Sequence, residues 1–152
     1  MTIPSAGQPF DPKAMAQAML GTGHNGFIGL RFVDQGDGWA EMAFDWREDL
    51  VGDPETGVLA SGPIVSLLDM TTSMSVWTAT RVFRPHVTLD LRIDYLRAAT
   101  PRRAIHARAE CYQVRRSMAF VRGIAHDGDA TDPIAHVAGI FMLVPENEWA
   151  RP

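Results

Sequence analysis

Between Thr56 and Thr80, twenty-five residues, Asp69 is the only charged side chain. Within this stretch, Ser61 to Thr80 (SGPIVSLLDMTTSMSVWTAT) opens on a Ser N-cap candidate, places Pro63 in the first turn and contains no later breaker. That pattern predicts a helix of about five turns. A surface helix carries a charged face. A helix without one is surrounded by protein on most sides, so the remaining chain has to be arranged around it. It is not a membrane span, because Ser66, Asp69, Thr71, Thr72, Ser73 and Ser75 break the apolar run far short of the ~20 residues required.

The flanking segments supply strands. After Pro85 the period changes to two, with Val87, Leu89, Leu91, Ile93 and Tyr95 alternating with Thr88, Asp90, Arg92 and Asp94, the signature of a half-buried strand. Three more strands are expected around Ala104 to Val114, Met118 to His126 and Ile134 to Val144, separated by Arg115-Arg116-Ser117 and by the turn-rich Asp127 to Asp132. Upstream, Asp11 to Leu20 reads as a short helix capped by Asp11 and closed by Gly21. A glycine-rich loop then leads into FIGLRFVD and, across Gln35-Gly36-Asp37-Gly38, into WAEMAFDW, a hairpin. Arg47 to Gly57 is polar and breaker-rich, hence a loop.

Strands joined by short turns pair antiparallel. With about six of them and one long helix, the economical solution is an α+β domain whose antiparallel sheet curls around the central helix. The 152 residues form one such domain, with an N-terminal helix and loop over 1–25 and the core over 26–145. Because Met70, Met74, Val76 and Trp77 are spread around the helix, one sheet is expected to leave a side uncovered. A second copy of the same helix, related by two-fold symmetry, is the simplest partner.

Composition removes several function classes. Cys111 is the only cysteine, which excludes an intramolecular disulfide and a Cys-based zinc site. The five His share no helical metal-ligand spacing, and no metal is expected. Gly21-Thr22-Gly23-His24-Asn25-Gly26 matches G-x-G-x-x-G literally, but it follows a helix and enters a strand, the reverse of the dinucleotide-binding order. Met1 to Gln8 shows no charged segment followed by an apolar one, so a cytoplasmic address is expected.

Charge is split along the chain. Arg81 to Arg122 carries ten Arg against Asp90, Asp94 and Glu110, a balance of +7 against −11 for the remainder. Such asymmetry fits an anionic ligand near the basic stretch, and equally a set of solvated strand and turn residues in an Arg-rich sequence that has one Lys. A nucleic-acid partner is not expected, since Phe83, Tyr95, Tyr112 and Phe120 do not form the interleaved stacking surface of a single-strand binder.

Asp69 is then the residue that demands an explanation. Burying a carboxylate without a partner costs several kcal/mol, so such a group is paired, hydrogen-bonded or functional. Ser66, Ser73 and a strand Arg are the partners open to it.

The run Gly57-Val58-Leu59-Ala60-Ser61-Gly62-Pro63 through Leu68-Asp69, followed by Val87-Thr88-Leu89-Asp90-Leu91-Arg92-Ile93-Asp94-Tyr95, resembles the hotdog-fold acyl-CoA thioesterases of the phenylacetyl-CoA and 4-hydroxybenzoyl-CoA type. Those proteins show a His-Gly-Gly loop, an acidic residue nine positions after the His, and a strand reading V-[TS]-[VL]-[DE]-x-x-x-x-[YF]. The similarity runs from about Gly26 to Val144. It implies hydrolysis of an acyl-CoA thioester, with Asp69 as general base or nucleophile and Thr88 holding the water or the carboxylate. Ser61 and Gly62 fall on the two glycines, whose backbone N–H groups polarise the thioester oxygen. It also implies a homodimer or a dimer of dimers with the site across the helix interface, and coenzyme A as part of the substrate with no further cofactor. Arg115 and Arg116, then Arg102 and Arg103, are the candidates for the coenzyme A phosphates. The departure is Ala60, which stands where the family has His, and near Asp53-Pro54 there is no amide where Asn or Gln is frequent. The alternatives are a catalytically weak acyl-CoA binding module, favoured by Ala60, and a hotdog acyl-CoA hydratase, disfavoured because no Asp has a His five residues on.

Overall fold

In the computed structural model, which describes residues 11–145, the chain begins with α1 (Pro12–Leu20), and the Asp11 carboxylate accepts the Lys13 N–H at 2.9 Å as its cap. The glycine-rich stretch that follows is not a loop. It forms a second short helix, α2 (Gly23–Ile28), ended by Gly29 at φ 79°, whose N–H reaches the carbonyls of Asn25 and Gly26. Gly26 is needed there because a Cβ would lie 2.9 Å from the Gly21 backbone, so the glycines fold two helices tightly together instead of cradling a phosphate. The first strand accordingly starts at Arg31, four residues later than the FIGLRFVD pattern suggests.

Strands β1 (Arg31–Gly36) and β2 (Trp39–Phe44) form the expected hairpin. Residues 47–57, expected as a loop, hold a 3-10 turn (Glu48–Leu50) and the greater part of a small hairpin with a separate two-stranded sheet, β3 (Val51–Asp53) and β4 (Val58–Leu59). It delivers the chain to α3 (Ser61–Thr80), and four strands follow: β5 (His86–Tyr95), β6 (Ile105–Val114), β7 (Met118–His126) and β8 (Ala135–Leu143). The main sheet is antiparallel throughout, in the order β1-β2-β6-β7-β8-β5, so β1 and β5 are its edges.

The sheet wraps α3, which packs mainly on β6 and β2. Leu67, Leu68, Met74 and Val76 of the helix meet Phe44, Ile105, Val121 and Phe141 of the strands in the core. The helix tolerates burial despite its Ser and Thr content because its hydroxyls bond back along the helix: Thr71 to the Leu67 carbonyl, Thr72 to Leu68, Ser75 to Thr72 and Thr78 to Ser75, at 2.7 to 2.9 Å. The expectation that Met70, Met74, Val76 and Trp77 need a second copy is corrected, since all four are buried within the single chain. What stays open is narrower: Ser61, Gly62 and Val65 are exposed and Asp69 is half-buried.

One irregularity matters for the site. In the β5–β8 ladder Thr88 pairs with Phe141 and Asp90 with Ile140, leaving Leu89 as an unpaired bulge residue. A bulge changes which residues face inward. Before it, His86 packs against Trp77 and Phe141, and Thr88 reaches the helix; after it, Leu91 and Ile93 join the core. Val87 and Leu89, counted as core from the alternation, are instead 45% and 53% exposed.

Candidate active site

The open face of α3 presents Gly62, Ser66, Asp69 and Ser73 at helical spacing, and each residue beyond Gly62 has a defined partner. Asp69 is met by neither Ser66, Ser73 nor an arginine: Thr88 Oγ1 of β5 donates to its Oδ1 at 2.9 Å. The two motif residues thus meet in a contact between the middle of the helix and an edge strand nineteen residues away. Asp69 Oδ2 takes no hydrogen bond from the described residues, which leaves one carboxylate oxygen for a water or a substrate.

At the helix start the N-cap is Ala60 and not Ser61, and a methyl group makes no capping bond. Among the described residues the unpaired donors of the first turn have no side-chain partner, and Pro63 contributes no donor. Two remain, the N–H groups of Ser61 and Gly62. A Cβ added at Gly62 would meet nothing within 4 Å, so the approach to them is open. They sit at the positive end of a twenty-residue helix, an environment that favours a developing negative charge on oxygen. Tyr95, at the far end of β5 from His86, donates its hydroxyl to the Ser61 carbonyl at 3.2 Å and ties the strand to this end of the helix too.

Two side-chain pairs on the same face were not legible in the sequence. Ser73 Oγ lies 2.8 Å from His86 Nε2, while His86 Nδ1 lies 2.9 Å from the Arg84 carbonyl. The carbonyl can only accept, which fixes the proton on Nδ1 and makes the Ser73 hydroxyl the donor to Nε2. Burial holds His86 below the ordinary histidine range, in keeping with a neutral ring. The second pair is His24 Nε2 and Ser66 Oγ at 3.0 Å, with Ser66 donating to the Gly62 carbonyl at 3.1 Å. Sequence separations of 13 and 42 residues hide such pairs from any motif. Asp53, near the position where the family often has an amide, is occupied in its own turn by Thr56 Oγ1 at 2.6 Å and the Glu55 N–H at 3.1 Å.

The four candidate phosphate-binding arginines are exposed but do not come together. Arg115 and Arg116 form the β6–β7 turn, at the end of the sheet where the Leu143 N–H bonds to the Ser117 carbonyl and β5 begins. Arg102 and Arg103 lie in the β5–β6 connection at the opposite end, where Arg102 sits over the Trp46 ring at 5.8 Å. Other members of the basic stretch are paired: Arg108 stacks on Trp39 at 3.7 Å and meets Glu41, Arg122 meets Glu110, and Arg97 grips Asp127. Among the described residues no group of three or more His, Cys, Asp and Glu is placed to hold a metal ion, and no helix is long and apolar enough to cross a membrane.

A six-stranded antiparallel sheet wrapped around one long helix is the hotdog fold. The sequence pattern of the Thioesterase superfamily matches residues 56–134, from the β3–β4 hairpin to the start of the last strand, and the chain belongs to that superfamily. A Pseudomonas aeruginosa protein of known crystal structure is 33% identical over 88% of this chain and 96% of its own, with a TM-score of 0.77. A mutant of the phenylacetic acid degradation protein PaaI of Thermus thermophilus is 24% identical over 78% and 96% of the two chains, with a TM-score of 0.67. A Haemophilus influenzae thioesterase shares the fold at a TM-score of 0.80 and 16% identity, over 96% and 99% of the two chains. No curated protein matches the chain in sequence.

Proposed function

We propose that the protein hydrolyses an acyl-CoA thioester with Asp69 as the base that activates water. The observation that carries this reading is the Thr88–Asp69 contact: it orients a half-buried carboxylate with one oxygen free on the same open face as two uncapped backbone N–H groups. In the reaction Asp69 takes a proton from water as the water oxygen bonds to the thioester carbon. The carbonyl oxygen gains charge against the Ser61 and Gly62 N–H groups. The C–S bond then breaks, and the proton held by Asp69 passes to the departing coenzyme A sulfur.

These groups do not all come from one chain. Seven residues separate Gly62 from Asp69, roughly 10 Å of helix rise, whereas base and oxyanion donors must each lie about 3 Å from atoms of one carbonyl. Two copies of α3 packed antiparallel about a two-fold axis near Val65 and Ser66 would set the Gly62 of each against the Asp69 of the other. The edge strand β5, with Val87 and Leu89 exposed beside unpaired backbone groups, suits the same symmetric pairing. The homodimer is thus the unit in which the site is complete, and it also shields Asp69 from solvent.

The finer specificity belongs to the rim. Arg115 and Arg116 are adjacent in one exposed turn and unpaired among the described residues, whereas Arg102 is stacked on Trp46, which favours the Arg115–Arg116 pair as the contact for the nucleotide phosphates of coenzyme A. The reading is tested by incubating the protein with a panel of acyl-CoAs and following thiol release. Turnover above the uncatalysed rate for at least one member supports it; tight binding of acyl-CoA without thiol release favours the binding-module alternative.

A further inference from the structure

Beside the start of α3 lies a groove of about 270 Å³ with apolar walls made by Phe27 and Ile28 of α2, Leu50 and Pro63. Ala60 and Gly62 also line it, so it lies against the helix start that carries the two uncapped N–H groups. Three polar side chains reach it: Asp49, Ser66 and His24. Asp49 is taken up by a two-pronged contact from Arg47 at 2.7 and 3.0 Å. Ser66 gives its hydroxyl proton to the Gly62 carbonyl, so its oxygen receives the proton of His24 Nε2. That chain of donation fixes the tautomer of the neutral ring and leaves Nδ1, an acceptor, with no hydrogen-bond partner among the described residues. The groove therefore offers an apolar bed and one uncommitted acceptor.

Its distance from the reacting centre defines what it can recognise. Ser66, which anchors the ring, is one helical turn from Gly62, about 6 Å along the axis. With the thioester oxygen on the Ser61 and Gly62 N–H groups and the acyl chain running along the groove toward Ser66, its third or fourth carbon would come to the level of the imidazole.

We propose that this groove holds the acyl chain and that His24 is a specificity-determining residue that selects acyl groups carrying a hydroxyl on the third or fourth carbon, whose O–H donates to Nδ1. The proposal rests on the reading of Ser61 and Gly62 as the donors to the thioester oxygen. The preference expected of one added hydrogen bond to a neutral acceptor is about tenfold, and not the far larger discrimination of a site built from several polar groups.

The test uses ketone analogues of 3-hydroxybutanoyl-CoA and butanoyl-CoA, in which a methylene replaces the thioester sulfur so that neither is hydrolysed. Calorimetric titration of the full-length protein is expected to show the hydroxylated analogue binding about tenfold more tightly. His24→Leu should bring the two affinities within about twofold by weakening only the hydroxylated one, and His24→Gln, which keeps an acceptor, should retain part of the difference. Equal affinities in the native protein, no binding of either analogue, or an undiminished preference in His24→Leu would overturn the proposal. Turnover of the two parent thioesters is measured in parallel. A binding preference without turnover removes the hydrolytic reading while leaving the role of His24 intact, and turnover without preference does the reverse.

Discussion

Thr88 donates its hydroxyl to Asp69 at 2.9 Å, a bond that joins the outermost strand of the sheet to the middle of the helix that the sheet encloses. It fixes the orientation of the one charged side chain on that helix and leaves the second carboxylate oxygen available.

Asp69→Asn preserves volume and removes the base. The expected result is a fall in kcat of at least ~100-fold with the thermal midpoint little changed. Thr88→Ala, which removes one hydrogen bond, should lower kcat about tenfold, and Thr88→Ser should recover most of it. Near-normal turnover in Asp69→Asn would assign the carboxylate a structural role. A single turnover in ¹⁸O-labelled water should put the label in the released acid and none in Asp69, as direct attack by water requires.

Neutralising both arginines of the β6–β7 turn, Arg115→Ala with Arg116→Ala, should raise KM for a full acyl-CoA and leave kcat unchanged. An acyl-pantetheine, which lacks the nucleotide phosphates, should be unaffected. Equal effects on the two substrates would place the phosphates elsewhere. At an exposed turn the contact is screened, so KM for the full substrate should also rise with salt.

Sedimentation at micromolar concentration should show no folded species of 16.7 kDa. Leu89→Arg places a charge on the exposed edge strand and is expected to yield monomers that bind acyl-CoA weakly and do not hydrolyse it. A stable monomer with full activity would exclude a site shared between two chains.

Away from the site, Asp127 accepts both terminal nitrogens of Arg97 at 2.8 and 2.9 Å and the Thr100 N–H at 2.7 Å, pinning the β5–β6 connection to the β7–β8 turn. The Arg97 guanidinium and the Thr100 N–H hold its carboxyl far below the ordinary carboxylate range. A depressed carboxyl contributes stability that is present above its unfolded value, about 4, and is lost as pH falls below it. Asp127→Asn should therefore lower the thermal midpoint at about pH 7, and the gap to the native protein should narrow as pH is taken from about 4 towards about 2. A gap independent of pH over that range would mean that packing, not ionisation, sets the effect.

Much of the fold is legible in the sequence because its strongest signals are local. The bounds of α3 follow from a single uninterrupted charge-poor run, and the strands after Pro85 follow from period and turn chemistry. The misreadings share a cause, in that each depends on what the backbone does in three dimensions. The hexamer Gly21 to Gly26 has the composition of a loop, yet close approach of two backbones makes it a helical corner. Ser61 looks like a cap because it is a Ser, but Ala60 occupies the cap and the exposed donors result. Within the candidate site, Asp69 and Thr88 are visible as motif residues. His24 with Ser66 and Ser73 with His86 exist as pairs only once the helices and the edge strand are assembled.

A strand counts its two faces in alternation, so the extra residue at Leu89 works as a phase shift between two parts of β5. On one side of it the inward set is even-numbered and ends in Thr88; on the other it is odd-numbered and fills the core with Leu91 and Ile93. Flattening the bulge with Leu89 retained, and with Leu91 and Ile93 anchored in the core, would turn Leu89 and Val87 inward and Thr88 outward. Asp69 would then lose its partner although every residue of the site was still present. The bulge between Thr88 and Asp90, more than the identity of any side chain there, is what keeps hydroxyl and carboxylate in register.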